Sequence, residues 1–320
     1  MSKSKILVIT PISHIKGVEE QLESAGQVTY LDDPSIDDVK RVIKNYEAIF
    51  TNPNKSKVFL GKDLLENANN LKVICTASTG TNHIDKEYLK EMEVSLLSLT
   101  EERNVINNIT STAEHALALT LSIIRNVKMS SLAVSEGLWD YTPFIGRQMN
   151  RLNIGVIGYG RLGSLYARYC QSLGSEVYIY DPFKKAPEEY SQLDELSEIF
   201  KLADVISLHV HVNEDTIGMI DKKLLSLAKK DLVLINTARG DIVNENDLVS
   251  FLSENKSSLY ATDVLENEIN NRTGSPIYRY HLESQQVLIT PHIGGMTKEA
   301  QEIAYNHAAS MLTKFLKQTS

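Results

Sequence analysis

Short hydrophobic runs alternate with longer amphipathic segments along the whole chain. We interpret eleven of these runs as β-strands, at residues 5–10, 28–31, 48–51, 72–76, 94–97, 153–158, 176–180, 205–210, 232–236, 259–264 and 287–290. Most of them are continuously apolar, which is typical of strands buried on both faces of a parallel sheet. Helices between parallel strands require right-handed crossovers. The pattern therefore predicts an α/β fold with doubly wound parallel sheets.

Two long helical segments interrupt this alternation. One begins at Ser111, where Ser111 and Glu114 have the spacing of a capping box, and the other begins near Thr297 and continues to the end of the sequence. We interpret both as connections between two α/β units. The predicted domains are a discontinuous one, residues 1–103 plus 296–320, and a continuous one, residues 104–295.

Composition and charge limit the classes of function. Of 320 residues, 42% are hydrophobic and 23% are charged, as in globular proteins. The net charge of −8 argues against nucleic acid as a partner, and no apolar run reaches the ~18 residues of a membrane span. Cys75 and Cys170 lie in apolar stretches and are expected to be buried thiols. We expect a cytoplasmic protein without a metal site, because its Cys and His residues are scattered.

A glycine-rich turn follows the strand at 153–158. It reads Gly158-Tyr159-Gly160-Arg161-Leu162-Gly163, and a helical pattern and a second strand come next. Gly158 permits a tight turn, Gly160 lets a pyrophosphate approach the backbone, and Gly163 lets helix and strand pack closely. The helix that begins here offers free amides and a partial positive charge to the phosphates. The turn therefore predicts a dinucleotide site.

The choice of dinucleotide depends on Asp181, which ends the second strand 18 positions after Gly163. Its carboxylate can accept hydrogen bonds from both ribose hydroxyls and would repel a 2′-phosphate. NAD is therefore the predicted cofactor. Arg161 either contacts the pyrophosphate or is an exposed residue at the start of the helix. Leu162 is also expected to belong to the cofactor site.

Three later strands each end in groups that suit one reaction. Arg239 follows strand 232–236, Asp263 lies in strand 259–264 with Glu266 and Glu268 after it, and His292 follows strand 287–290. Ligands of open parallel sheets bind beyond the carboxyl ends of the strands. An arginine presents a fork to a carboxylate, and a histidine steadied by a carboxylate exchanges a proton near neutral pH. The set predicts reversible reduction of a 2-oxo acid.

With these motifs the chain resembles the D-isomer-specific 2-hydroxyacid dehydrogenases, and within them the phosphoglycerate dehydrogenase branch. The resemblance implies a Rossmann cofactor domain, a smaller flavodoxin-like substrate domain, and a homodimer formed through the cofactor domain. Trp139 and Tyr141 follow a turn and are expected to pack against the cofactor domain or the dimer mate, with a position facing the substrate as the alternative. An alternative function is an NAD(H)-sensing binding protein with weak or no turnover.

The resemblance also implies roles for individual residues. Arg239 would hold the substrate, His292 would be the acid/base, and Glu268 would be its partner, with Glu266 ranked second. Asp263 would bind the nicotinamide carboxamide. The rest of the cofactor pocket would be lined by Thr237, Ala238, Gly294 and Gly295.

The first domain contributes a candidate substrate loop. Backbone amides of Ser78, Thr79 and Gly80 could bind the substrate carboxylate as an anion nest, although the loop could also be a plain strand-to-helix turn. Where the phosphoglycerate branch usually has an arginine-rich turn, this chain reads Thr51-Asn52-Pro53-Asn54-Lys55. That departure makes 3-phosphoglycerate a doubtful substrate. His115 has no evident partner in the sequence and is interpreted as a surface or packing residue.

Overall fold

The structure is a computed structural model that describes residues 3–53, 58–269 and 271–319. Strands and helices follow one another in the order β1 (Ser4–Val8), α1 (Val18–Ala25), β2 (Gly26–Tyr30), α2 (Ile36–Val42), β3 (Ala48–Thr51), α3 (Lys62–Leu65), β4 (Val73–Thr76), α4 (Lys86–Glu91), β5 (Ser95–Leu97), α5 (Arg103–Ile106), α6 (Ser111–Ile124), α7 (Val127–Ser135), β6 (Asn153–Ile157), α8 (Arg161–Ser172), β7 (Glu176–Tyr180), β8 (Ser191–Gln192), α9 (Leu196–Leu202), β9 (Val205–Leu208), α10 (Lys222–Leu225), β10 (Val233–Asn236), α11 (Glu245–Glu254), β11 (Leu259–Thr262), α12 (Pro276–Glu283), β12 (Val287–Ile289) and α13 (Lys298–Thr319).

The chain divides into two compact units. The first unit is Met1–Ile109 with Gly295–Ser320, and the second unit is Thr110–Gly294. Our expected boundaries lay after residues 103 and 295. The first unit extends further because α5 belongs to it: Ile106 and Ile109 pack in the same hydrophobic core as Ile6 of β1.

The first unit is built on a five-stranded parallel sheet with the order β2-β1-β3-β4-β5, as in flavodoxin-like folds. Ile6 and Val8 of β1 face a core that α1 and α13 cover. Leu7 and Ile49 face the opposite core, under α2, α3 and α4. Because both faces are buried, no polar position interrupts the middle of these strands.

Helix α13 returns to the first unit from the far end of the sequence. Its buried residues Ala304, Ala308, Leu312 and Leu316 recur every four positions and pack in the core of β1 and β4. The Thr297 hydroxyl accepts the Ala300 amide at 3.1 Å and caps the first turn. A helix contributed from residues 298–319 therefore completes a core that begins with Ile6.

The second unit contains a seven-stranded parallel sheet with the order β12-β11-β10-β9-β6-β7-β8. The strand order reverses between β6 and β9, which is the topological switch point of a doubly wound Rossmann sheet. The predicted fold class is confirmed for both sheets. Strand β8 was not predicted, because its two residues are exposed and polar and give no hydrophobic signal.

The start of α6 differs from the predicted capping box. The helix begins at Ser111, but Thr110 is the N-cap residue, and its hydroxyl donates to Glu114 at 2.6 Å. The Ser111 hydroxyl is buried and has no hydrogen-bond partner among the residues that the structure describes. The prediction of a Ser111–Glu114 box was wrong because Ser111 turns inward in the first turn.

Both cysteines are buried, as predicted, with Cys75 in the first unit and Cys170 in the second. Burial raises the pKa of the Cys170 thiol to about 12. Among the described helices, none alone has the length and apolar content of a membrane span. Helices α6 and α7, bent by 59° from each other, meet that criterion only as a pair.

Candidate active site

The glycine turn after β6 has the shape that a dinucleotide requires. Gly158 has φ +92°, and a Cβ there would lie 2.7 Å from the His209 carbonyl oxygen. A Cβ on Gly163 would lie 1.9 Å from the Gly158 carbonyl oxygen, so helix α8 can approach the strand only without a side chain. Gly160 differs, because a Cβ there would meet no atom within 4 Å. Its open side and the first-turn amides of α8, Leu162 included, fit a pyrophosphate.

Asp181 lies beside this turn, and its carboxylate accepts more hydrogen bonds from the protein than we expected. Its carboxylate accepts hydrogen bonds from the amides of Tyr159 at 2.7 Å, Phe183 at 2.8 Å and Lys184 at 2.9 Å. A carboxylate has about four acceptor positions. The amides therefore fix the orientation of the carboxylate, and a ribose would share what acceptor capacity remains.

The turn after β10 carries Thr237, Ala238 and Arg239. Asn236 shapes it, since the Asn236 side chain accepts the Ala238 amide at 3.0 Å and donates to the Arg239 carbonyl at 2.9 Å. The Thr237 hydroxyl is buried without a hydrogen-bond partner in the described part of the chain. Burying such a group costs free energy unless a ligand satisfies it, so Thr237 fits a cofactor pocket.

Arg239 places a positive charge in this turn. Burial lowers the pKa of its guanidinium, while the negative charges of Glu268 and Asp241 raise it, and the net direction is downward. One guanidinium nitrogen donates to the Ala238 carbonyl at 2.6 Å. Within the ranges that the structure describes, no carboxylate lies within 4 Å of it. A half-buried fork of this kind suits a small carboxylate ligand.

His292 and Glu268 form a close pair in the second unit. The His292 Nδ1 donates to Glu268 Oε1 at 2.6 Å, and about a quarter of each side chain is exposed. The other oxygen of Glu268 accepts the Leu265 amide at 3.3 Å. Among the described residues, the competing candidate Glu266 makes hydrogen bonds only through its backbone amide, which donates to Glu245 at 3.0 Å. The carboxylate that contacts the imidazole is therefore that of Glu268.

Asp263 anchors the loop that carries His292. Its Oδ1 accepts the Thr290 hydroxyl at 2.5 Å and the Ile293 amide at 2.9 Å, and its Oδ2 accepts the Gly294 amide at 2.7 Å. Burial raises the pKa of Asp263, but hydrogen bonds from His115, Thr290 and the two amides outweigh it and hold the pKa below its ordinary value.

This arrangement bears on the expected contact between Asp263 and a nicotinamide. Only 2% of Asp263 is exposed, and its oxygens already bind protein donors. A Cβ on Gly294 would lie 3.1 Å from Asp263 Oδ2, so glycine permits the close approach of the loop. The first role that the structure gives Asp263 is to hold that loop. Gly295 is the first residue of the second segment of the first unit.

A second buried carboxylate, Glu245 at the start of α11, braces the loop of Glu268. It accepts the Glu266 amide at 3.0 Å and the Ser275 hydroxyl at 2.5 Å, and burial raises its pKa. No motif in the sequence singles out Glu245 or Asn236. Glu245 acts on residues of other segments, Glu266 and Ser275, whereas Asn236 acts within its own turn.

The candidate substrate loop of the first unit is braced from two sides. Asn52 donates to the Ala77 carbonyl at 3.0 Å, and the Thr100 hydroxyl donates to the Thr79 carbonyl at 2.8 Å. The Ser78 hydroxyl donates to the Gly80 carbonyl at 2.7 Å. Across the described residues, the amides of Ser78, Thr79 and Gly80 donate no hydrogen bond to the protein. Of the unusual segment 51–55, Asn54 and Lys55 lie outside the described residues.

Comparison with known sequences agrees with this geometry. The sequence model described as "D-isomer specific 2-hydroxyacid dehydrogenase, NAD binding domain" matches residues 117–294, more than half of the 320-residue chain. The chain belongs to this family. The match lies within the second unit, and NAD is the cofactor of that domain.

Two curated relatives show where the chain stands in the dehydrogenase family. A D-3-phosphoglycerate dehydrogenase of Archaeoglobus fulgidus is 31% identical over 93% of this chain and 54% of its own length. A hydroxypyruvate reductase of Blautia hydrogenotrophica is 28% identical over 92% and 91% of the two chains. The chain spans about half the length of the D-3-phosphoglycerate dehydrogenases that it matches.

Among solved structures, a D-lactate dehydrogenase of Aquifex aeolicus in complex with NAD and lactic acid is 28% identical to this dehydrogenase-family chain. The two superpose with a TM-score of 0.81 over 98% of this chain and 96% of the other. The two-unit architecture is therefore that of the family.

The glycine turn yields a matched pair of substitutions. Gly163→Ala places a Cβ on the Gly158 carbonyl oxygen, so we expect a lower melting temperature and loss of NADH binding. Gly160→Ala adds a methyl group to open space at φ −74°, which any residue adopts. We expect wild-type melting with weakened NADH binding, measured by fluorescence titration. Wild-type affinity in Gly160→Ala would show that the cofactor does not approach this atom.

The lowered pKa of Asp263 predicts how the free energy of unfolding depends on pH. Its pKa is lower in the folded state than in the unfolded chain, so its stabilisation is present above about pH 4 and is lost as the pH falls through the folded value. Asp263→Asn should lower the free energy of unfolding by about 1–3 kcal/mol at pH 7, and the difference should shrink below about pH 4. Urea unfolding measures it. The exposed Asp194→Asn should show no such dependence, and a pH-independent gap for Asp263→Asn would contradict the assignment.

Proposed function

We propose that the protein is an NAD-dependent oxidoreductase that interconverts a small D-2-hydroxy acid and its 2-oxo acid. The observation that carries the proposal is the 2.6 Å pair of His292 and Glu268, whose negative charge also acts on Arg239. The three residues follow β12, β11 and β10, which are adjacent strands of one sheet. Their carboxyl ends lie on the side where doubly wound folds bind ligands.

Arg239 is proposed to bind the substrate carboxylate. Its guanidinium presents parallel donors that match the two oxygens of a carboxylate, and its partial burial strengthens the attraction. In the first unit, the amides of Ser78, Thr79 and Gly80 are proposed separately as donors to an anion. A 2-oxo acid bound by its carboxylate has its carbonyl group beside that carboxylate, within reach of the same arginine.

His292 is proposed to exchange the proton. NADH, when bound, supplies the hydride that reduces the carbonyl carbon. The carbonyl oxygen then gains negative charge and takes the Nε2 proton of the protonated His292 ring, which is left neutral, so that one 2-oxo acid, one hydride and one proton give one 2-hydroxy acid. Glu268 fixes the tautomer by accepting from Nδ1, which assigns the exchange with the substrate to Nε2.

We propose an unphosphorylated acid as the substrate. A phosphate usually binds to arginine forks or helix N-termini, and the unusual segment Thr51-Asn52-Pro53-Asn54-Lys55 contains no arginine, its one cation being Lys55. The relatives whose length agrees with this chain are named hydroxypyruvate reductases. A short 2-oxo acid of that kind is the proposed class.

We further propose a homodimer formed through the second unit. Trp139, Tyr141 and Ile145 are 90%, 79% and 74% exposed, so the expected packing against their own cofactor domain is not observed. Four more apolar side chains near them are exposed, Val127, Leu132, Val134 and Leu138. Beside them, a cavity of about 340 Å³ lies between α6–α7 and α12. Such a surface normally contacts a partner, and a second copy supplies a complementary one.

Cytoplasmic location stays a prediction.

The proposed activity predicts the behaviour of His292 and Arg239 variants. His292→Ala should lower turnover of a 2-oxo acid by about 10²–10⁴-fold, because the proton donor is lost. Arg239→Lys keeps the charge but loses the fork, and should raise the KM for the acid more than it changes the affinity for NADH. NADH oxidation is followed with a panel of 2-oxo acids that includes a phosphorylated one.

The same assay separates the alternatives. Wild-type protein that binds NADH but reduces no acid in the panel would favour the NAD(H)-sensing function. A preference for the phosphorylated acid would overturn the proposed substrate class and leave the reaction type intact.

The proposed dimer predicts that a charged residue placed on its apolar interface prevents association. Ile145→Asp should convert a particle of twice 35.8 kDa into a monomer, because an aspartate cannot be buried there without a partner. The emission of Trp139, the single tryptophan, should shift to longer wavelength at the same time. Leu173→Asp, at an exposed leucine on the end of α8, is the control and should stay dimeric. Light scattering that finds a monomeric wild type would refute the dimer.

A further inference from the structure

His115 of helix α6 makes a hydrogen bond to the loop of His292. His115 Nε2 lies 2.9 Å from the Thr290 hydroxyl oxygen and 3.4 Å from Asp263 Oδ1. Its side chain is 17% exposed, and that of Asp263 is 2% exposed. The sequence suggested a packing role for His115, and the structure instead gives it two polar partners on different strands of the second unit.

We propose that His115 is a positioning residue, which holds the loop of His292 in its active geometry from α6. The inference rests on the proposed function, because it concerns how the acid/base is oriented. His115 itself is not proposed to contact the substrate. Its effect on the reaction passes through Thr290 and Asp263.

The hydrogen bonds of His115, Thr290 and Asp263 form a continuous series, in which each donor and acceptor can be assigned. The Thr290 hydroxyl donates its only hydrogen to Asp263 Oδ1 at 2.5 Å, so its oxygen is left to accept. His115 Nε2–H is the donor that faces that oxygen at 2.9 Å. Each bond in such a chain polarises the next, so removing the donor weakens the bond from Thr290 to Asp263 as well.

This series of hydrogen bonds reaches residues on both sides of His292. Asp263 binds Thr290 two residues before it, and the amides of Ile293 and Gly294 immediately after it. The backbone of His292 has φ +55°, a left-handed conformation that costs a residue with a Cβ about 1–2 kcal/mol. It persists only where the surrounding contacts determine it. The contacts that do so converge on Asp263, and His115 completes its set of donors.

The position of His115 along the chain gives this contact a further consequence. Thr110 is the first residue of the second unit, so α6 is the segment that receives the chain from the first unit. His115 lies in the second turn of that helix. His115 therefore connects the second turn of α6 to Thr290 in the loop of His292.

The test replaces one hydrogen bond while keeping the packing. His115→Phe retains a flat ring of similar size but has no donor, whereas His115→Gln keeps an N–H group that can reach Thr290. We expect His115→Phe to lower kcat about 10- to 100-fold with the affinity for NADH unchanged, and His115→Gln to restore most of it. Thr290→Val removes the same hydrogen bond from the other end. Because Thr290→Val also removes the bond to Asp263, the double variant should lose no more than Thr290→Val alone.

A second readout does not depend on turnover. In the imidazole NMR spectrum of uniformly ¹⁵N-labelled protein, the His292 signal is assigned by its loss in His292→Gln. We expect the strongly hydrogen-bonded Nδ1 proton of His292 in wild type and in His115→Gln, and a shifted or broadened signal in His115→Phe and Thr290→Val.

The outcomes are distinguishable. Wild-type kcat and an unchanged His292 signal in His115→Phe would overturn the positioning role. Full additivity of His115→Phe and Thr290→Val would overturn it as well. If wild type reduced no acid, the proposed function would fail, and the NMR comparison would still decide the positioning role. If His115→Phe did not fold, Thr290→Val would decide both readouts.

Discussion

A carboxylate that is almost completely buried must be surrounded by donors, and Asp263 finds them in the loop that carries His292, the proposed acid/base. Its oxygens bind the Thr290 hydroxyl and the amides of Ile293 and Gly294. These bonds keep its pKa low despite burial and hold His292 in a left-handed conformation. The pair of His292 with Glu268 exists only because this loop has one geometry.

The same requirement, that buried polar groups be satisfied, organises the neighbouring loops. Glu245 binds the Glu266 amide and the Ser275 hydroxyl and so fixes the loop of Glu268, while Asn236 fixes the turn of Arg239. Three loops on three adjacent strands are thus each held by a buried polar side chain. What remains without a protein partner in the described part of this edge is the Thr237 hydroxyl, while no carboxylate pairs with the Arg239 fork. We propose that a cofactor and a small anion supply those partners.

Sequence reasoning was accurate where a property is local to a segment. Continuously apolar strands predicted two parallel sheets. The spacing of the glycines predicted that a side chain could not be accommodated at Gly158 and Gly163. It was wrong at Ser111, whose direction depends on the packing of α6, and it missed β8, which is short and polar. It gave His115 no partner, because Thr290 and Asp263 are 175 and 148 positions away in the sequence.

By itself the sequence determined the fold class, the NAD-binding turn and the types of chemical group at the strand ends, because periodicity and glycine spacing are properties of neighbouring residues. Only the tertiary structure decided which carboxylate contacts His292, since Glu266 and Glu268 are two residues apart and equivalent in type. It also decided that Asp263 is an anchor and that Trp139 lies on the surface. Those outcomes depend on hydrogen bonds and burial between distant segments, which no local pattern records.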